Sequence, residues 1–270
     1  MPDLTQPTAF PGWSDLLPWD AGQSGTLLLL DFDGTLSDIA PRPEDATLRP
    51  GNADLLESLN RKPGSTVGIL SGRSLDDVRR RVGVPGLEYG GNHGLEIAGP
   101  HLQYRHPHAA AAIAQFAELA ALLDASLAAI PGARVENKTL TLTVHYRQTP
   151  AEHHARVGAI VNDAAEPAIA AGTARITTAK AAIELRPSID WNKGRALELI
   201  RSRLAPDAFP IYIGDDATDE DAFGAAQAAG GFGIFVGPSD SATRAGYRLD
   251  SPAAVTDALA ELASEKSPLP

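Results

Sequence analysis

The stretch Thr26-Leu-Leu-Leu-Leu-Asp-Phe-Asp-Gly-Thr35 decides which fold the rest of the chain can adopt. Four successive leucines, Leu27–Leu30, are typical of a strand that is buried on both faces in the middle of a parallel sheet. Asp31 and Asp33 follow where this strand ends, and ligand sites of open α/β sheets lie at that edge. A spacing of two places both carboxylates on the same side of an extended chain. Gly34 then allows the chain to turn away at once.

Two aspartates at this position favour phosphoryl chemistry. One carboxylate can attack a phosphorus atom while the other serves as acid and base. The alternative is an ordinary Asp-Gly turn with a chance acidic neighbour. The four-leucine strand directly before the aspartates makes that alternative the weaker one.

Further apolar runs alternate with helical segments along the chain. The runs that we interpret as strands of the same sheet are 66–70, 210–213 and 233–236. Residues 53–61 predict one helix, and Ser74 with Asp77 forms a capping signature for a second helix that runs to about Arg81. Strands that alternate with helices indicate an α/β fold with a doubly wound, Rossmann-like parallel sheet.

The middle of the chain has a different order of elements. Apolar residues recur at three- and four-residue steps from Ile113 to Ile130, which predicts an amphipathic helix. Residues 140–146 alternate apolar side chains with threonine and histidine, which predicts a strand with one buried face. A second helix over 151–170 and two β-like segments follow, and these segments are 174–178 and 182–186.

This change of order predicts the domain organisation. We expect residues 103–186 to form an inserted α/β cap domain, and residues 1–102 and 187–270 to form the core together. Only 40 positions separate Asp31 from Ser71, which is too few for a large insertion between them.

Composition excludes several classes of partner. The chain has 270 residues, with 23 Lys and Arg against 34 Asp and Glu, for a net charge of −11. Nucleic acid is not an expected partner, because its binding depends on clustered Lys and Arg. There is no cysteine, and no apolar stretch approaches the ~20 residues that span a bilayer. Residues 1–24 have neither the basic start nor the apolar run of a secretory signal. We expect a cytoplasmic monomer that does not bind membranes and acts on a small molecule.

A second acidic cluster, Gly214–Asp221, follows the predicted strand over 210–213. Five acids in seven positions repel one another unless a cation or a helix dipole compensates them. Thr218 with Asp221 is a capping signature, so the acids from position 219 onward are interpreted as structural. Asp215 and Asp216 precede the helix at the strand end, where hard oxygen ligands suit Mg²⁺.

Ser71 and Lys193 could supply the positive and hydrogen-bonding groups that a phosphate needs. The Ser71 hydroxyl, with backbone N–H groups at a helix start, can hold phosphate oxygens. Alone, Ser71 would be interpreted as a turn serine and Lys193 as a solvated surface lysine. A functional role for Lys193 is favoured because the acidic site needs a positive charge.

These pieces, in this order, resemble the haloacid dehalogenase phosphatase superfamily. The matching motifs are Asp31-x-Asp33-Gly34-Thr35, Ser71, Lys193 and Gly214-Asp215-Asp216-x-x-Asp219. The resemblance implies that Asp31 is the nucleophile and that Asp33 protonates the leaving oxygen and then deprotonates water. It also implies that Ser71 and Lys193 hold the phosphoryl group. Mg²⁺ would be bound by Asp31, the backbone carbonyl of Asp33, and Asp215.

Finer motifs are similar to those of the trehalose-6-phosphate phosphatase family. They are Tyr89–Glu96, Val135–Lys138, His145–Arg147, Glu184–Pro187 and Asp215–Phe223. The resemblance implies hydrolysis of trehalose 6-phosphate. The distal glucose would be hydrogen-bonded by Glu136, Lys138 and Glu184 of the cap, with Arg147 and His145 nearby. The remaining residues that we assign to substrate binding are Gly72, Arg73, Asn92 and His93.

Two other functions are compatible with these motifs. One is a related phosphatase that acts on sucrose 6-phosphate or mannosyl-3-phosphoglycerate. A glycerate carries an extra carboxylate and would need more cap cations than Lys138 and Arg147 supply. The other is a catalytically silent sugar-phosphate sensor, which could lose Asp33 or Lys193 freely, whereas this chain has both.

Overall fold

The computed structural model describes residues 4–17, 25–179 and 181–264. Within them the strands are β1 (Thr8–Ala9), β2 (Thr26–Leu30), β3 (Ser65–Leu70), β4 (Glu88–Gly91), β5 (Glu96–Ala98), β6 (Gln103–Arg105), β7 (Arg134–Asn137), β8 (Leu142–His145), β9 (Ala174–Ala179), β10 (Ala182–Pro187), β11 (Phe209–Gly214), β12 (Phe232–Val236) and β13 (Tyr247–Leu249). The α-helices are α1 (Asn52–Asn60), α2 (Leu75–Val82), α3 (Pro107–Ala111), α4 (Ile113–Leu127), α5 (His154–Ala170), α6 (Lys193–Leu204), α7 (Glu220–Ala228) and α8 (Pro252–Ser264). In these ranges no helix combines the length and apolarity that crossing a membrane requires.

The chain divides into two compact units. The first comprises Met1–Tyr104 and Trp191–Pro270, and the second comprises Arg105–Asp190. The predicted insertion, residues 103–186, begins two residues before the second unit and ends four residues before it ends.

The first unit is built on a nine-stranded sheet with the order β1-β13-β12-β11-β2-β3-β4-β5-β6. The strands from β13 to β4 pair in parallel, and β4 pairs with β5 in antiparallel orientation. The central strand β2 lies between β11 and β3. The predicted α/β fold with a doubly wound parallel sheet is confirmed.

The leucines of β2 pack on both faces of this sheet. Leu28 and Leu30 belong to an apolar cluster that includes side chains of α1, α2 and α8. Leu27 and Leu29 belong to a second cluster, which includes side chains of α6 and α7. Alternate residues of a strand point to opposite faces, so a run without polar residues is what a strand between two helical layers requires.

Of the two predicted helix caps, one is confirmed and one is wrong. Ser74 precedes α2, and its Oγ accepts a hydrogen bond from the Asp77 amide at 3.4 Å. Thr218 does not cap α7, because this helix begins one residue later, with Asp219 at the N-cap position. The Thr218 amide instead donates to Oδ1 of Asp216 at 2.8 Å. The Thr218 hydroxyl also donates to Oδ1 of Asp216. Thr218 is therefore bound to a neighbouring side chain and does not form the helix cap that the spacing predicted.

The second unit is an antiparallel sheet with the order β7-β8-β10-β9, and α4 and α5 supply the rest of its core. Leu142 and Val144 of β8 are fully buried against apolar residues of both helices, such as Phe116 and Val161. The alternation in β8 therefore separates an apolar face, which packs on the helices, from a face that carries the intervening polar residues.

Candidate active site

Asp31 lies at the carboxyl edge of the large sheet, directly after the central strand β2. Its amide donates to the carbonyl of Ile213 in β11 at 2.9 Å, and its side chain is buried, with 7% exposure. Asp215 follows β11, and Ser71 follows β3 on the other side of β2. The parallel strands therefore bring three residues that are far apart in sequence to one edge, where open α/β sheets bind ligands.

Lys193 begins helix α6 and is buried beside the acids. Its Nζ lies 2.9 Å from Oδ1 of Asp31 and donates to Oδ1 of Asp219 at 2.7 Å. Burial by itself lowers the pKa of Lys193, but the carboxylates of Asp219 and Asp31 outweigh that effect and raise it. The ammonium group therefore remains charged, and it offsets part of the acidic charge at the edge.

Part of the acidic charge remains uncompensated. Burial, together with the neighbouring Asp219 and Asp215, raises the pKa of Asp31 although Lys193 opposes this effect. Burial, Asp219 and Asp216 raise the pKa of Asp215 to about 8. Such shifts arise when carboxylates are buried close together without enough positive charge.

Gly34 allows the acids to approach this closely. Its φ is +78°, which L side chains rarely adopt, and a Cβ there would lie 2.1 Å from Oδ2 of Asp215. Position 34 therefore requires glycine for two reasons. The left-handed turn after Asp33 disfavours other residues, and any side chain there would clash with the carboxylate of Asp215.

The donor set at this edge fits a hard divalent cation. Carboxylate oxygens of Asp31, Asp215 and Asp219 lie within 4.8 Å of one another. Both oxygens of Asp219 already accept hydrogen bonds, Oδ1 from Lys193 and Oδ2 from the backbone amides of Asp215 and Asp216. Asp31 and Asp215 are thus the members of the group better suited to hold an ion, and the charge of the ion would relieve their repulsion.

The carboxylate of Asp33 is held by Arg73. The guanidinium Nε and Nη2 donate to its two oxygens at 2.7 Å each, a bidentate geometry. The other donors of Arg73 bind Asp77 at 2.7 Å and the carbonyl of Pro43 at 2.8 Å. Sequence reasoning assigned Arg73 to substrate binding, and its four hydrogen bonds within the core support a role in holding Asp33.

The turn after β3 and the turn after β4 lie side by side. The amide of Asn92 donates to the carbonyl of Arg73 at 2.7 Å, and the amide of His93 donates to that of Ser71 at 2.9 Å. The His93 ring lies over Gly72, where a Cβ would be 2.8 Å from Cε1. Asn92 and His93 have φ values of +50° and +59°. Positive φ values are uncommon for residues other than glycine, and they often occur at functional sites.

In the second unit, the residues predicted to contact the sugar share one face of the sheet. The register aligns Glu136, Thr143 and Glu184 in one row across β7, β8 and β10. Lys138 lies next to this row, with its Nζ 3.5 Å from Oε1 of Glu184. We call Glu136, Lys138, Thr143 and Glu184, together with His145, the polar face of the cap sheet.

The acids of this polar face are paired. Oε2 of Glu136 is 2.7 Å from Nε2 of His145, and the hydroxyl of Thr141 donates to Oε1 of Glu184 at 3.4 Å. Arg147 does not lie on a strand, because it follows the end of β8 in an exposed turn. The structure therefore places two of the four predicted cap residues, Glu136 and Glu184, on strands of one sheet, Lys138 directly after β7, and Arg147 in a turn.

Sequence reasoning missed Tyr212, which lies inside an apolar strand and carries a hydroxyl to the buried acids. Its OH donates to Oδ1 of Asp219 at 2.6 Å. The only signal was a tyrosine within the run Pro210–Ile213, where a purely apolar residue would pack as well. The prediction that Asp219 is structural agrees with its hydrogen bonds, although not with a role in a Thr218 cap.

A doubly wound sheet with paired acids at its carboxyl edge and an α/β insertion defines the haloacid dehalogenase class of fold. The chain belongs to the trehalose-phosphatase family, because the model of that family matches residues 29–253. The chain is 40% identical over 250 residues to the trehalose-phosphate phosphatase of Mycobacterium marinum, a match that covers 90% of this chain.

Solved structures show the same fold. The C-terminal domain of C. albicans trehalose-6-phosphate phosphatase matches with a TM-score of 0.80 and 23% identity over 96% of this chain and 98% of that one. Trehalose-6-phosphate phosphatase of Aspergillus fumigatus matches with a TM-score of 0.64 and 27% identity over 96% of this chain and 99% of that one. This chain spans 62% of the length of the M. marinum protein.

Proposed function

We propose that this chain is a Mg²⁺-dependent phosphatase that hydrolyses trehalose 6-phosphate to trehalose and inorganic phosphate. The observation that carries the proposal is the buried pair of Asp31 and Lys193, 2.9 Å apart at the carboxyl edge of the sheet, in a chain of the trehalose-phosphatase family. A carboxylate beside a fixed ammonium group provides a nucleophile and a group that neutralises the transferred phosphoryl oxygens.

In the first step, a carboxylate oxygen of Asp31 forms a bond to phosphorus, and the bond from phosphorus to the sugar oxygen breaks. Asp33 gives its proton to that sugar oxygen, so trehalose leaves as a neutral alcohol. Ser71 and Lys193 hold the oxygens of the phosphoryl group, which is now covalently attached to Asp31. In the second step, Asp33 takes a proton from water while the water oxygen forms a bond to phosphorus, and the bond from phosphorus to the Asp31 oxygen breaks, which releases phosphate and restores the Asp31 carboxylate.

Arg73 fits the role of orienting Asp33 for these proton transfers. Its bidentate pair, at 2.7 Å to each oxygen, fixes the plane of the Asp33 carboxylate. The side chain of Asp33 is also 44% exposed, so it can reach a substrate oxygen. Because a guanidinium pair stabilises the ionised carboxylate, loading Asp33 with a proton requires the pair to loosen.

The residues suited to hold Mg²⁺ are Asp31, Asp215 and the backbone carbonyl of Asp33. When bound, the ion would stabilise negative charge on the phosphoryl oxygens and offset the repulsion between the carboxylates and the incoming anion. The raised pKa of Asp215, about 8, supports this assignment because the site as built lacks positive charge.

The polar face of the cap sheet supports a neutral sugar as the second half of the substrate. Glu136 lies beside His145, and Lys138 beside Glu184, so the face offers hydrogen-bonding groups that are held in place by their neighbours. Sugar hydroxyls can bind such groups as donors or acceptors. A glycerate carboxylate, as in mannosyl-3-phosphoglycerate, would find its nearest cation here already paired with an acid.

Phosphate release tests the proposal and separates it from both alternatives. We expect kcat/KM to be highest for trehalose 6-phosphate when it is compared with sucrose 6-phosphate and mannosyl-3-phosphoglycerate. A chelator should stop the reaction and added Mg²⁺ should restore it. Binding of trehalose 6-phosphate without release of phosphate would instead identify a silent sensor, and a higher kcat/KM for either other sugar phosphate would identify the related phosphatase.

A further inference from the structure

Tyr212 lies in the interior of the core, and its hydroxyl reaches the acidic residues at the carboxyl edge of the sheet. Its side chain is fully buried on β11, and its ring meets the edge of the Phe223 ring, with centroids 5.7 Å apart. Its OH donates to Oδ1 of Asp219 at 2.6 Å. A phenylalanine would fill the same space, so the hydroxyl must be accounted for by the one hydrogen bond that it donates to Asp219.

Asp219 receives donors from three parts of the fold. Its Oδ1 accepts from Tyr212 and from Lys193, the latter at 2.7 Å. Its Oδ2 accepts from the amides of Asp215 and Asp216 at 3.0 and 3.1 Å. Two bonds at each oxygen fix the carboxylate in one rotamer, because rotation would break all four together.

We propose that Tyr212 is a positioning residue of the reaction, which holds Asp219 so that Lys193 remains within reach of Asp31. Lys193 is shared between two carboxylates, at 2.7 Å from Asp219 and 2.9 Å from Asp31. The hydroxyl of Tyr212 occupies one acceptor site of Asp219 and disperses part of its charge. Without it, the buried Oδ1 would attract the ammonium group more strongly, and Lys193 would move away from Asp31.

This inference rests on the proposed phosphatase, and its effect should be independent of the leaving group. Lys193 acts on the phosphoryl group, which every phosphomonoester shares, whereas Asp33 acts on the leaving oxygen. Tyr212→Phe should therefore lower kcat on the order of tenfold, equally for trehalose 6-phosphate and 4-nitrophenyl phosphate, which matches the loss of one hydrogen bond to a charged group.

Tyr89→Phe is the matched control. Tyr89 is also buried, and its OH donates to the carbonyl of Val84 at 2.6 Å, away from Asp31 and Lys193 in the hydrogen-bond network. We expect both variants to lower the melting temperature, and only Tyr212→Phe to lower kcat. A crystal structure of Tyr212→Phe should show Nζ of Lys193 farther from Asp31 than the 2.9 Å of the native chain.

The outcomes separate this inference from the proposed function. If the native chain is active and folded Tyr212→Phe keeps its kcat within twofold, Tyr212 does not position Lys193. If the native chain hydrolyses neither ester, the proposed phosphatase itself is wrong. Should Tyr212→Phe fail to fold, 3-fluorotyrosine can be placed at position 212 instead. It changes the hydrogen-bond donor strength of the hydroxyl with little change in the shape of the side chain. An altered kcat, by the same factor on both esters, then supports the inference, and an unchanged kcat overturns it.

Discussion

The edge of the core sheet and the polar face of the cap sheet use the same residue types under opposite electrostatic conditions. At the core edge, Asp31 is buried and shares Lys193 with Asp219, Asp215 is partly buried, and both Asp31 and Asp215 have raised pKa values. On the polar face, Glu136 and Glu184 are partly buried, and each lies beside a basic side chain of its own. The core therefore holds negative charge that attracts a cation, whereas each acid of the cap lies within contact of a basic side chain.

This difference indicates how the two regions divide the work. Uncompensated carboxylates suit chemistry, because they can attack, bind a metal ion or exchange a proton. Paired charges on an antiparallel sheet suit recognition, because they present fixed donors and acceptors to hydroxyl groups. Variants in the core should accordingly impair every phosphoester, and variants in the cap should impair only the sugar phosphate.

Asp31→Asn should have the largest effect. An amide cannot attack phosphorus, so we expect turnover to fall below detection on both trehalose 6-phosphate and 4-nitrophenyl phosphate, while far-UV circular dichroism shows an intact fold. Phosphate release is the measurement. A variant that turned over either ester at the native rate would remove Asp31 from the role of nucleophile.

Asp33→Asn should have the next largest effect and should depend on the leaving group. We expect a loss on the order of 10²–10⁴ in kcat for trehalose 6-phosphate, because the alkoxide needs a proton to leave. The loss should be smaller for 4-nitrophenyl phosphate, whose leaving group hardly needs one. Equal losses on both esters would argue that the substitution damages the metal site instead.

Glu136→Ala and Lys138→Ala test the polar face of the cap. Each should lower kcat/KM for trehalose 6-phosphate by about 10- to 100-fold, because a hydrogen bond to a charged group is lost. Activity on 4-nitrophenyl phosphate should stay at the native level. Glu118→Ala, on the exposed side of α4, serves as the control and should change neither. Native kcat/KM on trehalose 6-phosphate in both cap variants would contradict recognition by this face.

The smallest expected effect concerns stability and the unpaired charge of the core. Because the pKa of Asp215 is raised to about 8 in the fold, the folded chain binds more protons than the unfolded chain between about pH 4 and 8. The free energy of unfolding without Mg²⁺ should therefore fall as pH rises through this window, with a slope of at most ~1.4 kcal/mol per pH unit, the limit for a single proton. Asp215→Asn should flatten the slope, and Mg²⁺ should reduce it.

Asp77→Asn is the control for this measurement. Burial raises the pKa of Asp77, but hydrogen bonds from Arg81, Arg73 and Arg80 outweigh it and lower the value to about 2. The stability that Asp77 contributes is thus present above about pH 4 and lost as pH falls towards 2. Its substitution should leave the slope between pH 4 and 8 unchanged. A native chain without that slope would show that the core charges are compensated after all.

The sequence predicted what depends on local pattern. The four leucines of β2 indicated a strand buried on both faces, and the spacing of Ser74 and Asp77 indicated the cap of α2; both are confirmed. Strands of two or three residues, such as β1 and β13, were not predicted, because so few positions carry no periodicity.

Contacts between distant residues were not predictable in the same way. Arg73 and Asp33 lie 40 positions apart, and only the parallel sheet brings them together. Glu220 looked like a helix-dipole acid, yet it accepts hydrogen bonds from the Thr243 hydroxyl at 2.6 Å and from the Arg244 amide at 2.7 Å. Hydrogen bonds of this kind follow from the packed fold, which no short motif describes.

The His93 ring lies above Gly72, so two positions in different turns restrict each other's substitution. A methyl group at position 72 would lie 2.8 Å from the ring, so a larger residue there requires a smaller or displaced one at position 93. A larger residue at position 72 should therefore be accepted only together with a change at position 93. Any redesign of the phosphate-binding turn would have to treat the turns after β3 and β4 as one structural element.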